Sequence, residues 1–113
     1  MKPRKAKKVT IGRRVPTFST MTRPGDYCAD TIIDDGKTKR CVWFLLPTHE
    51  GVSVYDRPTR GSGLHCVTEP PWTFRDCADG SIEIRASIAC GRHDPEGEYW
   101  HGFLDEGHRW REV

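Results

Sequence analysis

Cys90-Gly91-Arg92-His93 sets a thiol three residues from an imidazole, and His101 follows eight residues later. Cys66, next to His65, lies upstream. Thiolate and imidazole are zinc ligands, four for a structural site or three plus a water for a catalytic one. Cys90 and His101 are the first candidate pair, with Cys66 and His93 as further donors. The same groups also suit Cys–His nucleophilic chemistry, with Cys66 or Cys90 activated by His101 or His93. Against both stands a plainer reading, in which each Cys is a small buried hydrophobe and each His a hydrogen-bonded or exposed residue. There is no Cys-x-x-Cys, no His-Glu-x-x-His and no Gly-x-Ser-x-Gly. His65 and Cys66 are adjacent, so on a strand they point to opposite faces and do not meet. Arg60-Gly61-Ser62-Gly63 is either a phosphate-cradling loop or a simple connection. The acidic pairs Asp34-Asp35 and Asp105-Glu106 fall at turn positions and read as turn formers.

The elements that must position these groups lie mostly between Ser81 and Val113. Ile82, Ile84, Ala86 and Ile88 alternate with more polar residues, a period-two strand pattern. Asp94-Pro95-Glu96-Gly97 reads as a turn, and the aromatic-rich run from Glu98 to Leu104 as the returning strand. Cys90 and His101 are equally distant from that turn, which predicts that they face each other across a hairpin. The plainer version of this pair is a thiol packed against an imidazole without metal. Asp105-Glu106-Gly107 closes a second hairpin, with Gly107 at positive φ and Leu104 opposite His108. That register puts Trp100, Leu104, His108 and Trp110 on a core face. It leaves Tyr99, His101, Phe103, Arg109 and Arg111 on a mixed face fit to line a site.

Upstream, short apolar runs alternate with turn signals. Asp30 to Ile33 leads into a hairpin at Asp34-Asp35-Gly36, and Thr38 to Leu46 reads as a strand buried on both faces or a short buried helix, ended by Pro47. Further strands are expected over Gly51–Asp56, Leu64–Thr68 and Trp72–Arg75, the last two split by Pro70-Pro71. No segment has a helical period over three turns. The fold class predicted is all-β, a small antiparallel meander sandwich or barrel, with residues 24–113 as one domain and residues 1–23 as a basic flexible arm and connector. Trp43, Phe44, Trp72, Ile82, Ile84, Ile88, Trp100 and Trp110 are the expected core.

Charge divides the 113 residues unevenly. Residues 1–23 hold eight basic side chains and no acid, whereas the rest holds ten basic and sixteen acidic ones. Lys2, Arg4, Lys5, Lys7, Lys8, Arg13 and Arg14 form a candidate phosphate-binding arm. The plainer alternative is a solvated tail that aids solubility or folds back on the acidic body. No run is long and apolar enough for a transmembrane helix, and the basic start lacks the apolar stretch of a secretory signal. A cytoplasmic location and five reduced Cys, rather than a disulfide framework, are therefore expected.

Pro71-Trp72-Thr73-Phe74, Ser87-Ile88 and Trp100-His101-Gly102-Phe103-Leu104-Asp105-Glu106-Gly107 together resemble a small family of phage and bacterial proteins of unknown function, most of all its versions from phages of actinobacteria. The resemblance covers roughly Cys41 to Trp110. Other members have a Cys-rich knuckle after the first apolar strand and a later Cys and His, which implies a zinc site. Here the knuckle position reads Leu46-Pro47-Thr48-His49-Glu50-Gly51, with no Cys, so that His49 stands as a replacement ligand beside Cys90 and His101. No complete catalytic constellation emerges. The expected function is that of a non-enzymatic phage-type accessory protein that binds nucleic acid or a host protein without a membrane. A small zinc- or Cys/His-dependent hydrolase is the alternative.

Overall fold

A computed structural model describes residues 9–47, 64–90 and 100–113. Two sheets pack face to face as a β-sandwich. In chain order the strands are β1 (Val9–Ile11), β2 (Arg13–Arg14), β3 (Asp26–Asp34), β4 (Lys37–Leu45), β5 (Leu64–Glu69), β6 (Thr73–Asp76), β7 (Ile82–Cys90), β8 (Trp100–Asp105) and β9 (Arg109–Glu112). The five-stranded sheet has the order β1-β9-β8-β7-β6 and the four-stranded sheet β2-β3-β4-β5. The predicted meander is present twice, as β3-β4-β5 and β6-β7-β8-β9, each pair antiparallel. Of the two architectures expected, the sandwich is the one formed.

Turn chemistry accounts for the hairpins. Asp35 and Gly36 both take positive φ, 50° and 72°, which gives the two-residue loop whose twist matches its strands. Gly80, at φ 88°, ends the β6–β7 turn, and Asp79 accepts hydrogen bonds there from the Ser81 backbone N–H (2.9 Å) and hydroxyl (2.5 Å). The buried Ser81 oxygen in turn accepts from Gly107 N–H at 2.9 Å and so stitches this turn to the β8–β9 turn.

Alternation builds the core. Phe74, Ile82, Ile84, Ile88, Trp100, Leu104 and Trp110 from one sheet interdigitate with Tyr27, Val42, Phe44 and Val67 from the other. β4 is buried on both faces, as its unbroken apolar run predicts. Its second face, with Cys41, Trp43 and Leu45, lies under the chain from Val15 to Met21, and Val15, Met21, Cys28 and Leu45 form a second cluster there. The tryptophans therefore divide. Trp100 and Trp110 are buried, while Trp43 and Trp72 are only half-buried and pack at the margins.

Several expectations change. Within residues 1–23, expected as an arm and connector, Val9–Ile11 and Arg13–Arg14 are strands: β1 pairs with β9, and β2 pairs in parallel with β3. Leu104 lies opposite Trp110, not His108, because the loop is Glu106-Gly107-His108, with His108 itself at φ 61°. A two-residue slip preserves side-chain parity, so Trp100, Leu104 and Trp110 keep the core face while His108 moves into the turn. In β7 the register shifts between Ile84 and Ile88, and this bulge leaves Ala86 exposed instead of inward. The expected strand Gly51–Asp56, the loop at Arg60–Gly63 and the turn at Asp94–Gly97 lie outside the described residues.

Trp110 joins the two sheets. Its indole is 1% exposed, and its Nε1–H donates to the Gly25 carbonyl at 2.8 Å. We expect Trp110→Ala to lower unfolding free energy by roughly 3–5 kcal/mol, read from urea unfolding followed by circular dichroism. A loss under about 1 kcal/mol would show that the sandwich does not depend on this ring.

Candidate functional site

The inner faces are apolar, so charged side chains collect on the outer ones. On the five-stranded sheet the registers fix who shares the outer face. Phe103 lies opposite Arg111, Asp105 opposite Arg109, Val9 opposite Arg111 and Ile11 opposite Arg109. His101 lies opposite Ala89, Thr73 opposite Arg85 and Arg75 opposite Glu83. Four arginines, two carboxylates, a phenyl ring, an imidazole and the apolar Val9 and Ile11 thus occupy one surface. Val9 and Ile11 are 47% and 62% exposed.

Its centre is ordered by one carboxylate. Asp105 accepts from Arg111 Nε at 2.7 Å and from an Arg85 terminal nitrogen at 3.0 Å. Both guanidinium groups then sit against the Phe103 ring, Arg111 at 4.6 Å and Arg85 at 5.3 Å from its centroid, within cation–π range. Burial pushes the Asp105 carboxyl upward, but the two arginine hydrogen bonds outweigh it and hold it below the usual carboxylate range. Farther out, Arg75 pairs with Glu83 at 3.0 Å and so keeps that carboxyl ionised to lower pH. Sequence reasoning placed His101, Phe103, Arg109 and Arg111 on this face. It missed Arg75, Arg85, Val9 and Ile11, because only the pairing of β1 with β9 and of β6 with β7 brings them there.

The metal-ligand candidates do not converge. Cys90 lies opposite Trp100 and is buried in the core, whereas His101 lies opposite Ala89 on the outer face. The expected pairing of Cys90 with His101 is off by one residue, and a one-residue slip sends the two side chains to opposite faces. Cys90 and His101 therefore do not fit a shared zinc ion, and the metal-free contact fails for the same reason. Burial pushes the Cys90 thiol up to about 12, in keeping with a core hydrophobe. Cys66 lies opposite Trp43 on the other sheet, near Cys41, whose thiol is pushed up to about 12 by burial and by Cys66. His65 is turned to the opposite side and stacks on Phe44 with ring centroids 5.7 Å apart. His49 and His93 lie outside the described residues.

Among the described residues, three other donors approach one another: Cys77, Asp79 and Glu106, with ligand atoms within 4.8 Å. They sit where the β6–β7 and β8–β9 turns meet. Asp79 Oδ1 is committed to Ser81, and its carboxyl is lowered first by that hydroxyl. This is the geometry of a turn former, as the acidic turn residues predict.

The basic residues at the start of the chain also divide. Lys2, Arg4, Lys5, Lys7 and Lys8 lie outside the described residues. Arg13 is fixed on the buried Asp26, Nε to Oδ1 at 2.9 Å and a terminal nitrogen to Oδ2 at 2.7 Å. Arg14 donates to the Gly80 carbonyl at 3.1 Å. Both belong to the expected phosphate-binding set, and here each also ties β2 to a neighbouring part of the sandwich. No protein-family model, no curated protein and no solved structure matches this chain.

Asp26 yields a pH prediction. Its Oδ2 also accepts from the Thr22 and Arg23 backbone N–H groups, each at 2.9 Å. Burial raises its pKa, but Arg13 and these two donors outweigh it, and the net shift is downward. A carboxyl with a depressed folded pKa contributes stability that is complete above its unfolded value of about 3.9 and is lost as pH falls through the folded one. Asp26→Ala should cost about 1–3 kcal/mol at pH 7 by removing the acceptor of these part-buried N–H groups and of Arg13. The gap between variant and parent should then narrow on acidification below about pH 4. A gap constant from pH 7 to pH 2 in urea titrations would refute this role.

Proposed function

We propose that this is a non-enzymatic nucleic-acid-binding protein, an accessory protein of phage type working in the cytoplasm of a host cell. The observation that carries this reading is the position of β1. The strand begins at Val9, directly after Lys2, Arg4, Lys5, Lys7 and Lys8, and pairs with β9, which bears Arg109 and Arg111. Five cationic residues thus immediately precede, in sequence, a strand at the edge of the arginine-bearing sheet. Phosphate neutralisation by such side chains gives affinity without sequence choice. No described helix is long and apolar enough to cross a membrane. The hydrolase reading lacks support, since Cys90 and His101 are held on opposite faces and His65 and Cys66 point away from each other.

Deletion of residues 1–8, which stops short of β1, separates this role from folding. The full chain should bind single-stranded oligonucleotides with a steep inverse dependence on salt. If all five side chains meet phosphates, deletion should reduce the slope of log K against log salt by about 3.5, at roughly 0.7 per contact. Unchanged affinity and slope after deletion would remove the segment from the interface, and absence of binding at low salt would end the proposal.

A further inference from the structure

We infer that β1 is a self-association edge: two copies of this chain join by antiparallel pairing of Val9–Ile11 with the same strand of a second copy, about a two-fold axis at Thr10. The inference is independent of nucleic-acid binding.

Its basis is the direction in which the main chain of β1 faces. β1 ends the five-stranded sheet, with β9 as its neighbour there. Opposed residues in an antiparallel pair alternate between exchanging both hydrogen bonds and exchanging none. Gly12 N–H donates to the His108 carbonyl at 2.8 Å, and Thr10, two residues back, lies opposite Trp110. Thr10 and Gly12 therefore face β9, while the N–H and C=O groups of Val9 and Ile11 face out of the sheet. Among the described residues nothing bonds to those outward groups. The opposite edge of the same sheet is guarded. There the Phe74 N–H on β6 is capped by the Glu69 carboxylate at 2.6 Å, and Arg40 reaches across to Asp76 at 2.8 Å. β1 has no such guard, since it contains no charged residue, no proline and no bulge.

A second copy fits this edge on three counts. The first is main-chain register. With Thr10 opposite the partner subunit's Thr10, Val9 exchanges both bonds with the partner subunit's Ile11, and Ile11 with the partner subunit's Val9. Every outward group on each strand is then satisfied by its own counterpart, as a two-fold interface requires. The second is the side chains. Val9 and Ile11 are both exposed on the outer face. The pairing sets valine against isoleucine on that face and threonine against threonine on the other, β-branched on β-branched at each position. The third is charge. The two β9 strands stand three strand spacings apart, about 14 Å, which exceeds the Debye length of about 8 Å at physiological salt. Arg109 and Arg111 of one copy are therefore screened from those of the other.

Three residues a side bury less than the roughly 1,200 Å² of a stable interface, so the dimer forms only at high concentration. The test is sedimentation velocity on the full chain from about 5 to about 500 µM. The weight-average mass should rise from 12.9 kDa toward twice that value. Val9→Pro removes an outward donor while leaving the β1–β9 bonds in place, and should weaken association at least about 10-fold. Ile11→Lys, which puts a charge on the edge, should do the same. Thr10→Cys locates the axis. Residues opposed in a non-hydrogen-bonded pair have Cα atoms about 4.5 Å apart, within disulfide range, so diamide should link this variant across the axis. Val9→Cys, about 7–8 Å from its copy, should link at least about 10-fold more slowly. Circular dichroism melts establish which variants fold, and either edge variant suffices. A parent that stays at 12.9 kDa throughout would overturn the inference and leave the edge to an extended strand of another protein. A folded Val9→Pro or Ile11→Lys protein that dimerises as the parent does would overturn it too, and so would equal linking of the two Cys variants, by placing the contact elsewhere.

Discussion

Everything in this fold depends on one close crossing. Gly12 and Gly25 pass beneath the Trp110 indole so tightly that a Cβ at Gly12 would collide with the Gly25 carbonyl and with Trp110 Nε1. That carbonyl accepts the indole N–H, and the ring packs against Phe44, Trp100 and Tyr27 with centroids 4.9, 5.7 and 6.1 Å away. Only glycine permits the approach, and the approach lets a single residue carry the chain from β1 in one sheet to β2 in the other. Tyr27 makes a second tie. Its hydroxyl accepts from the Ile82 N–H and shares a 2.6 Å hydrogen bond with His108 Nδ1. The imidazole expected on the core face thus ties the two sheets through this hydrogen bond, and burial pushes the tyrosine up to about 12. The crossing also directs Arg13 to Asp26 and leaves Val9–Ile11 at the edge of the other sheet.

The two outer faces are consequently unlike. The four-stranded sheet is roofed by the chain from Val15 to Met21, with Phe18 edge-on to Trp43 at 5.5 Å, and beneath it lie Cys28, Cys41 and Cys66. All three thiols are raised, burial being the largest cause in each. Thiols so placed behave as small hydrophobes rather than nucleophiles. The five-stranded sheet gains no such roof from these residues, and its outer surface keeps the charge. One segment, by covering the four-stranded sheet, decides which outer face is buried and which keeps its charge.

The strands, most of the hairpins and the parity of the last hairpin were legible, because period two and turn residues are local signals. Trp100, Leu104 and Trp110 faced inward as read even though the pairing was off by two. Cys90 and His101 failed because their pairing was off by one, and β-sheet geometry forgives even slips and punishes odd ones. No local signal fixes register across a connection such as 91–99. β1 was illegible for another reason: three residues after a basic run carry no pattern of their own and become a strand only because β9 offers an unpaired edge. Trp43 and Trp72 show the limit of reading burial from residue type, since both are only half-buried and pack at the margin of a cluster.

A carboxylate at the centre of a cationic face needs a physical reason. Asp105 cancels one positive charge, which at an exposed site weakens attraction to a phosphate by roughly 0.2–1 kcal/mol. In exchange it holds two long side chains against Phe103 before any ligand arrives. Immobilising a rotamer-rich side chain at binding costs about 0.5–1.5 kcal/mol, so two fixed arginines save about 1–3 kcal/mol. The balance favours keeping the acid. It also defines the geometry, because Arg85 and Arg111 approach Asp105 from neighbouring strands on either side of β8, and only a carboxylate on β8 can reach both. A face with four free arginines would attract polyanions more strongly at long range but would hold no fixed arrangement. The observed face gives up part of that attraction for a fixed arrangement of Arg85, Arg111 and Phe103 around Asp105.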